Sequence, residues 1–140
     1  MHNMIRKYNL SPGDCVVVPK SNFRIIDHYA LYLGYNEYGV DLFAENHYVF
    51  GVRVITADDF FNDAIEVSRI KRFKGDNYQR KIAVQKALKK AGKPYSLITY
   101  NCEHFANEIQ NGKAYSNQVA WGVGILAGLA LLLFAFKGKK

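Results

Sequence analysis

Cysteine and tryptophan are scarce in this chain of 140 residues, which has two cysteines and one tryptophan. Two cysteines cannot form a disulfide framework, and their spacing is not that of a zinc site. The chain also lacks a Gly-rich phosphate loop and an aromatic nucleic-acid motif. Its first residues are polar and charged, with no apolar run, so no signal peptide is expected. We therefore expect a reducing compartment, no metal site, no cofactor and no nucleic-acid partner.

Acidic residues are missing from the last part of the chain, because all twelve lie before position 109. The formal net charge is +7, and Lys137, Lys139 and Lys140 at the C-terminus account for much of it. This balance suits an anionic membrane surface but is too weak to indicate nucleic-acid binding. Hydrophobic residues make up 49% of the chain, with ten Tyr and nine Phe, which is typical of one globular domain with a real core.

The longest uncharged apolar run is VAWGVGILAGLALLLFAF, residues 119–136. As a helix it would be about 27 Å long, which is enough to cross a thin hydrocarbon core. Trp121 suits an interface position, and Gly124 with Gly128 forms a small-residue face that could pair helices. A buried core helix is the alternative, but so small a domain could hardly cover it. We predict a domain over residues 1–116 and a single-pass membrane anchor with a basic tail over 117–140.

The front half of the chain predicts an antiparallel sheet, because short apolar and alternating runs are separated by turn residues. Further along, the periodicity changes to that of helices. A basic amphipathic helix with a stripe of Ile82, Val84, Ala87, Leu88 and Ala91 is expected to face the core, or else to lay its lysines on lipid headgroups. The fold class is therefore α+β, an antiparallel sheet packed on helices. The predicted strands are residues 10–18, 48–56 and 65–73, together with a hairpin over 27–45. A short helix or turn is predicted at 57–63. Longer helices are predicted over 78–92 and from 101 or 102 to 112.

The two cysteines differ in context. Cys15 lies in the strand-like run DCVVVPK, where a buried and inert thiol is the ordinary interpretation. Cys102 follows Asn101, a favoured N-cap residue, at the predicted start of a helix. Unpaired N–H groups at a helix start favour a thiolate and could also hold the oxyanion of an acyl-transfer intermediate. Cys102 is therefore the candidate nucleophile.

A nucleophilic cysteine needs a base, usually a histidine. His2 lies at the chain terminus, where we expect fraying. His104 stands two residues after Cys102, so on one helix it points away from the thiol and is expected to support structure. His28 begins the strand HYALYLG and is the candidate base, although a structural histidine is the alternative.

Two segments stand in this order in the chain, HYALYLG and, later, YSLITYNCEHFANEIQNGKAYSNQV. With these segments the chain resembles the lecithin:retinol acyltransferase-like family, most closely its H-Rev107-type phospholipase A/acyltransferases. The resemblance covers nearly the whole chain, including the apolar tail with basic residues after it. It implies an NlpC/P60 papain-like fold in permuted order. It also implies that Cys102 accepts the acyl group and that His28 is the general base and acid.

One position departs from the family pattern, which has a second histidine on the return strand of the hairpin. The alignment places Asp41 there, and an aspartate could orient His28 and stabilise its imidazolium. If the hairpin register is shifted, Glu45 and His47 become the candidates. We predict Asp41.

The resemblance implies a membrane-tethered thiol phospholipase A/acyltransferase that acts on glycerophospholipids through an acyl-cysteine thioester. The acceptor would be water, an amine or a hydroxyl, and the catalytic domain is expected on the cytoplasmic side. A non-catalytic membrane or interaction module with the same fold is the alternative, kept open by the missing second histidine. A peptidoglycan peptidase of the NlpC/P60 group is disfavoured by the His-before-Cys order and the C-terminal anchor.

Overall fold

The computed structural model describes residues 1–20, 25–64 and 66–137, with the side chains of 135–137 left out. Within these residues the chain forms a mixed α and β structure, and the predicted α+β class is confirmed. The helices are α1 (Asn3–Lys7), α2 (Ala57–Asn62), α3 (Asn77–Lys89), α4 (Cys102–Asn111) and α5 (Asn117–Lys137). The strands are β1 (Cys15–Pro19), β2 (Asp27–Tyr35), β3 (Asp41–His47), β4 (Gly51–Thr56) and β5 (Arg69–Lys71).

The five strands form one sheet in the order β4-β3-β2-β1-β5, and each neighbouring pair is antiparallel. The predicted antiparallel sheet is therefore confirmed. In the β2–β3 hairpin, Ala30 pairs with Glu45 and Tyr35 pairs with Asp41. The register shifts between these two pairs, next to Gly34, whose φ of +98° is open to glycine but strained for other residues.

Helices cover both faces of the sheet, so the domain has three layers. One core lies between the sheet and α3 with α4, and its members include Val17, Leu31 and Phe105. The other lies on the opposite face beside α1 and α2, where Phe43 stacks on Phe60 with ring centroids 4.8 Å apart. Alternate residues of each strand therefore serve different cores, as expected of a sheet that is buried on both sides.

Caps at the helix ends explain why the predicted start of α3 and both predicted ends of α4 hold, whereas α3 ends at Lys89 and not at the predicted residue 92. Asp76 and Gln79 form a reciprocal capping box at the start of α3. Gly112 ends α4 in the left-handed conformation with φ +74°, which agrees with its prediction as the stop. The core-facing stripe predicted for α3 is wrong in part, because Ala83 and Ala87 are the buried residues whereas Leu88 is 46% exposed. Two small side chains let α3 pack closely on its neighbours.

The N-terminus is held in place, contrary to the expectation of fraying. His2 caps α1, with its Nδ1 accepting a hydrogen bond from the Met4 N–H, and its ring stacks on Phe61 with centroids 5.1 Å apart. Ile5 is fully buried against the sheet face that also carries Phe43. This one buried side chain and the cap anchor a helix too short to be stable alone.

A buried carboxylate ties the start of β1 to the chain that follows β5. Asp14 is 1% exposed and accepts hydrogen bonds from Arg72, Arg80 and the Phe73 N–H at 2.8 to 3.0 Å. Burial alone would raise the pKa of Asp14, but these donors outweigh it and lower the pKa below its usual value. The cluster thus fixes the β1–β5 edge of the sheet against the beginning of α3.

α5 has the length and composition needed to cross a membrane. Its window Asn117–Phe134 has a mean hydropathy of 1.7, and none of it is buried within the described residues. The alternative of a buried core helix is therefore not what the structure shows. The apolar C-terminal helix is confirmed as a helix, while Lys139 and Lys140 of the basic tail lie outside the described residues.

Candidate active site

Cys102 is the first residue of α4 and lies beside the beginning of β2. Asn101 caps the helix, its side-chain oxygen accepting from the N–H groups of Glu103 and His104 at 2.9 and 3.1 Å. Cys102 is 5% exposed, and its thiol points to the Asp27 carbonyl, with Sγ 3.7 Å from the oxygen. The predicted helix start therefore brings the thiol to the end of the strand that carries His28.

His28 is the second residue of β2 and is held by a carboxylate from β3. Its Nε2 donates to Oε2 of Glu45 at 2.6 Å. Its Nδ1 is buried and has no hydrogen-bond partner within the described residues. The second oxygen of Glu45 accepts from Nε of Arg53 on β4 at 2.8 Å. Three neighbouring strands thus place Arg53, Glu45 and His28 in a row that ends near Cys102. We call this row the Arg53–Glu45–His28–Cys102 line.

The charges in this line support one another. Burial works to lower the pKa of His28, but the interactions with the Cys102 thiol and the Glu45 carboxylate outweigh it and raise the pKa to about 9. Burial works to raise the pKa of Glu45, but His28 and Arg53 outweigh it and lower the pKa. His28 is therefore favoured as an imidazolium beside an ionised Glu45.

Asp41 makes no hydrogen bond to His28 in the described structure. The hydrogen bonds of both residues therefore correct the prediction that Asp41 orients His28. Asp41 accepts from the Tyr32 hydroxyl at 2.7 Å and from the His2 N–H. The reason is the hairpin register, since Asp41 pairs with Tyr35, which is seven residues and roughly 23 Å along β2 from His28. Glu45 pairs with Ala30, two residues from His28 on the same face. The shifted register brings the alternative carboxylate, Glu45, to the histidine.

Replacing Asp41 with Asn should therefore affect stability rather than the site. We expect a loss of about 1–2 kcal/mol, because a buried carboxylate that accepts from Tyr32 and the N-terminus becomes a weaker acceptor. Urea unfolding of the full chain in detergent measures this loss, and the rate of any reaction at Cys102 should stay within about twofold of wild type. A large loss of rate at unchanged stability would return the orienting role to Asp41.

An apolar groove opens onto Cys102. Its volume is about 860 Å³, within the range of small-molecule sites. Its lining includes the exposed side chains of Ile26, Leu97 and Ile98, the first turns of α5, and charged side chains such as Arg69 and Lys71. The thiol thus lines a groove that is mostly apolar.

No group of three or more His, Cys, Asp or Glu side chains in the described part of the chain is arranged to hold a metal ion.

The family model for lecithin retinol acyltransferase matches residues 8–115, which include β1 to α4 and every residue of the Arg53–Glu45–His28–Cys102 line. The chain belongs to the lecithin retinol acyltransferase family. A search of curated proteins gave no match.

In this member of the lecithin retinol acyltransferase family, His47 and His104 lie outside the line, as does His2, which caps α1. Nδ1 of His104 accepts from the Asn101 N–H at 3.3 Å, which completes the capping box of α4. His47, at the end of β3, stacks on Phe50 with ring centroids 5.0 Å apart. Both contacts are structural, which agrees with the sequence interpretation of His104.

Sequence reasoning missed two residues of this family member's site. Arg53 lies in a strand whose alternating pattern predicts only that its charged side chain points away from the core. Its partner is found only through the pairing of β3 with β4, which sets Arg53 opposite Glu45. Gln118 at the start of α5 accepts from the Asp27 N–H at 2.9 Å, and its own N–H is 3.3 Å from the Asp27 carbonyl that the thiol faces. No local pattern marks either residue, because both contacts span distant parts of the chain.

Proposed function

We propose that the protein is a membrane-tethered thiol acyltransferase and phospholipase A that takes an acyl group from a glycerophospholipid onto Cys102. The observation that carries this proposal is geometric: Glu45 holds the His28 ring at Nε2, and the Cys102 thiol faces the carbonyl of Asp27, the residue next to His28. Membership of the lecithin retinol acyltransferase family supports a lipid acyl substrate. The permuted NlpC/P60 papain-like arrangement belongs to the proposal too, supported by a helix-start cysteine that follows a strand histidine.

In the first half-reaction Cys102 has already passed its proton to His28, which gives the imidazolium that the raised pKa of His28 favours, and the thiolate sulfur attacks the ester carbonyl. Since Nε2 is occupied by Glu45, Nδ1 is the nitrogen that takes the proton. Asn101 uses the N–H groups of Glu103 and His104, which leaves the N–H of Cys102 itself to face the oxyanion. The carbon–oxygen bond of the ester then breaks, and the imidazolium returns the proton to the leaving lysophospholipid alcohol.

In the second half-reaction an acceptor attacks the thioester carbonyl. Water, an amine or a hydroxyl gives a proton to His28 as it adds, and the carbon–sulfur bond breaks to restore the Cys102 thiolate. Glu45 stays ionised throughout and stabilises the imidazolium, which is the role of the carboxylate in other catalytic triads. Arg53 keeps Glu45 charged and fixed.

The division into a catalytic domain over 1–116 and an anchor over 117–140 is part of the proposal. An unburied apolar α5 that starts beside Cys102 would hold the site at the bilayer surface, where effective substrate concentration is high. A cytoplasmic catalytic domain and helix pairing through Gly124 and Gly128 stay predictions.

The test is the acyl-enzyme itself. The full chain is mixed in detergent micelles with a diacyl glycerophosphocholine, quenched, and analysed by peptide mass spectrometry. We expect an acyl mass on the Cys102 peptide that hydroxylamine removes, together with released fatty acid and lysophospholipid. Cys102→Ala should show neither, whereas Cys15→Ala should keep both, because Cys15 is fully buried within the core.

Equal release of fatty acid by wild type and Cys102→Ala would overturn the proposal. So would a wild-type protein that never carries the acyl mass on Cys102 across choline, ethanolamine and glycerol headgroups. Either result would favour the non-catalytic membrane module that keeps this fold.

A further inference from the structure

The first three turns of α5 line the groove that opens on Cys102. Five of the lining residues form a stripe along one helix face, with the i, i+3, i+4, i+7, i+8 spacing: Gln118, Trp121, Gly122, Ile125 and Leu126. Asn117, Val119 and Val123 line the groove as well. The helix proposed as an anchor therefore also forms a wall of the site.

The groove combines polar and apolar lining. Its polar groups include the Cys102 thiol and the Gln118 amide, both directed at the Asp27 carbonyl. Its apolar groups include Leu97 and Ile98, which are 67% and 66% exposed, and the apolar residues of α5. A reacting thiol in a largely apolar groove matches a carbonyl carbon followed by a hydrocarbon chain.

Gly122 lies in the middle of the stripe, about 6 Å along the helix axis from Gln118. A Cβ built at Gly122 would meet nothing within 4 Å, so the missing side chain leaves open space in the groove. A larger residue at this position would enter the groove without disturbing a packed neighbour.

We infer that the groove between α5 and the 97–98 loop holds the acyl chain bound to Cys102, and that Gly122 sets how long a chain fits. This inference rests on the proposed function. It assigns to the membrane helix a part in acyl-chain selection as well as anchoring. The ligand is a fatty-acyl chain, and its carbonyl end is fixed by the thiol.

The test uses chains attached chemically, so that it does not depend on catalysis. Octyl and hexadecyl methanethiosulfonate form a disulfide with Cys102 and release methanesulfinate. Burial raises the pKa of Cys15 to about 12, which keeps that thiol unreactive at neutral pH. Wild type, Gly122→Leu and the matched control Gly128→Leu are compared as full chains in one detergent. Gly128 is a good control because a Cβ there also meets nothing within 4 Å, yet the residue does not line the groove.

We expect the ratio of hexadecyl to octyl labelling at Cys102 to fall about tenfold in Gly122→Leu, because several methylenes lose their place in the groove. In Gly128→Leu the ratio should stay within about twofold of wild type. An unchanged ratio in Gly122→Leu, or an equal fall in both variants, would show that the groove does not hold the chain.

A second measurement avoids substitution. A hexadecyl chain brominated at its middle is attached to Cys102 of wild type, and excess reagent is removed. Trp121 is the single tryptophan and lines the groove, so its fluorescence should be strongly quenched. Fluorescence equal to that with an unbrominated chain would overturn the inference. The acyl mass on Cys102, measured separately with phospholipid, reports the proposed function, so the two can fail independently.

Discussion

Glu45→Gln should lower the rate of acyl transfer by about 10²- to 10⁴-fold while the fold is kept. Removal of the buried carboxylate charge leaves the His28 imidazolium without its partner, and triads lose activity on this scale when their acid is neutralised. Gln keeps only one acceptor oxygen, so either His28 or Arg53 faces its N–H₂ group in place of a carboxylate oxygen. Initial rates of fatty-acid release from phospholipid micelles measure the effect.

The pH dependence separates an electrostatic role of Glu45 from a structural one. His28 has its pKa raised to about 9 in the wild type, with Glu45 among the causes. Without that charge the pKa of His28 should fall, so the alkaline limb of the rate profile should move to lower pH. Glu37→Gln makes the same chemical change in the exposed β2–β3 turn and should leave both rate and profile unchanged.

The raised pKa of His28 should also appear in the pH dependence of the free energy of unfolding. A raised pKa means that the folded state holds the proton more tightly, so its contribution is complete below about pH 6.5 and is lost as pH rises through about 9. Glu45→Gln should show a smaller loss over that window in urea unfolding. A variant with wild-type rate, profile and alkaline stability would refute the role of Glu45.

Asp14→Asn should lower the free energy of unfolding by about 3–5 kcal/mol, the largest stability effect that the structure predicts. Asp14 is buried and joins Arg72, Arg80 and the Phe73 N–H. Asn keeps one acceptor oxygen, but it loses the charge and turns an N–H₂ group towards cationic donors. The melting temperature of the full chain in detergent should fall by more than about 10 °C.

Acid unfolding gives a second test of how much the Asp14 carboxylate contributes to stability. Its pKa is lowered in the folded state, so its stabilisation is present above the ordinary value of 3.8 and is lost as pH falls towards the lowered pKa. Asp14→Asn should flatten that acid dependence, whereas Asp63→Asn at an exposed position should not. A melting temperature unchanged in Asp14→Asn would show that the two arginines do not need the carboxylate.

Local sequence rules predicted much of what surrounds the site. The N-cap preference of Asn101 placed Cys102 at a helix start, and the C-cap preference of glycine ended that helix at Gly112. Alternating apolar residues predicted the antiparallel strands. The uncharged run predicted α5. Each of these features depends on residues close together in the chain, so a single sequence is enough to find it.

The partner of His28 needed the tertiary structure. Asp41, Phe43 and Glu45 alternate onto one face of β3, the face that also carries His28, so strand periodicity favours neither carboxylate. The shift beside Gly34 and the pairing of Ala30 with Glu45 decide between them, because the two carboxylates stand four residues and about 13 Å apart along the strand.

The sequence by itself therefore determined the position of the candidate nucleophile, the candidate base, the strand pattern and the apolar helix. The tertiary structure decided which carboxylate holds His28, that Arg53 holds that carboxylate, and that α5 forms a wall of the groove beside Cys102. The physical reason is range. Caps and periodicity act within a few residues, whereas strand register and helix placement join side chains that lie far apart in the chain.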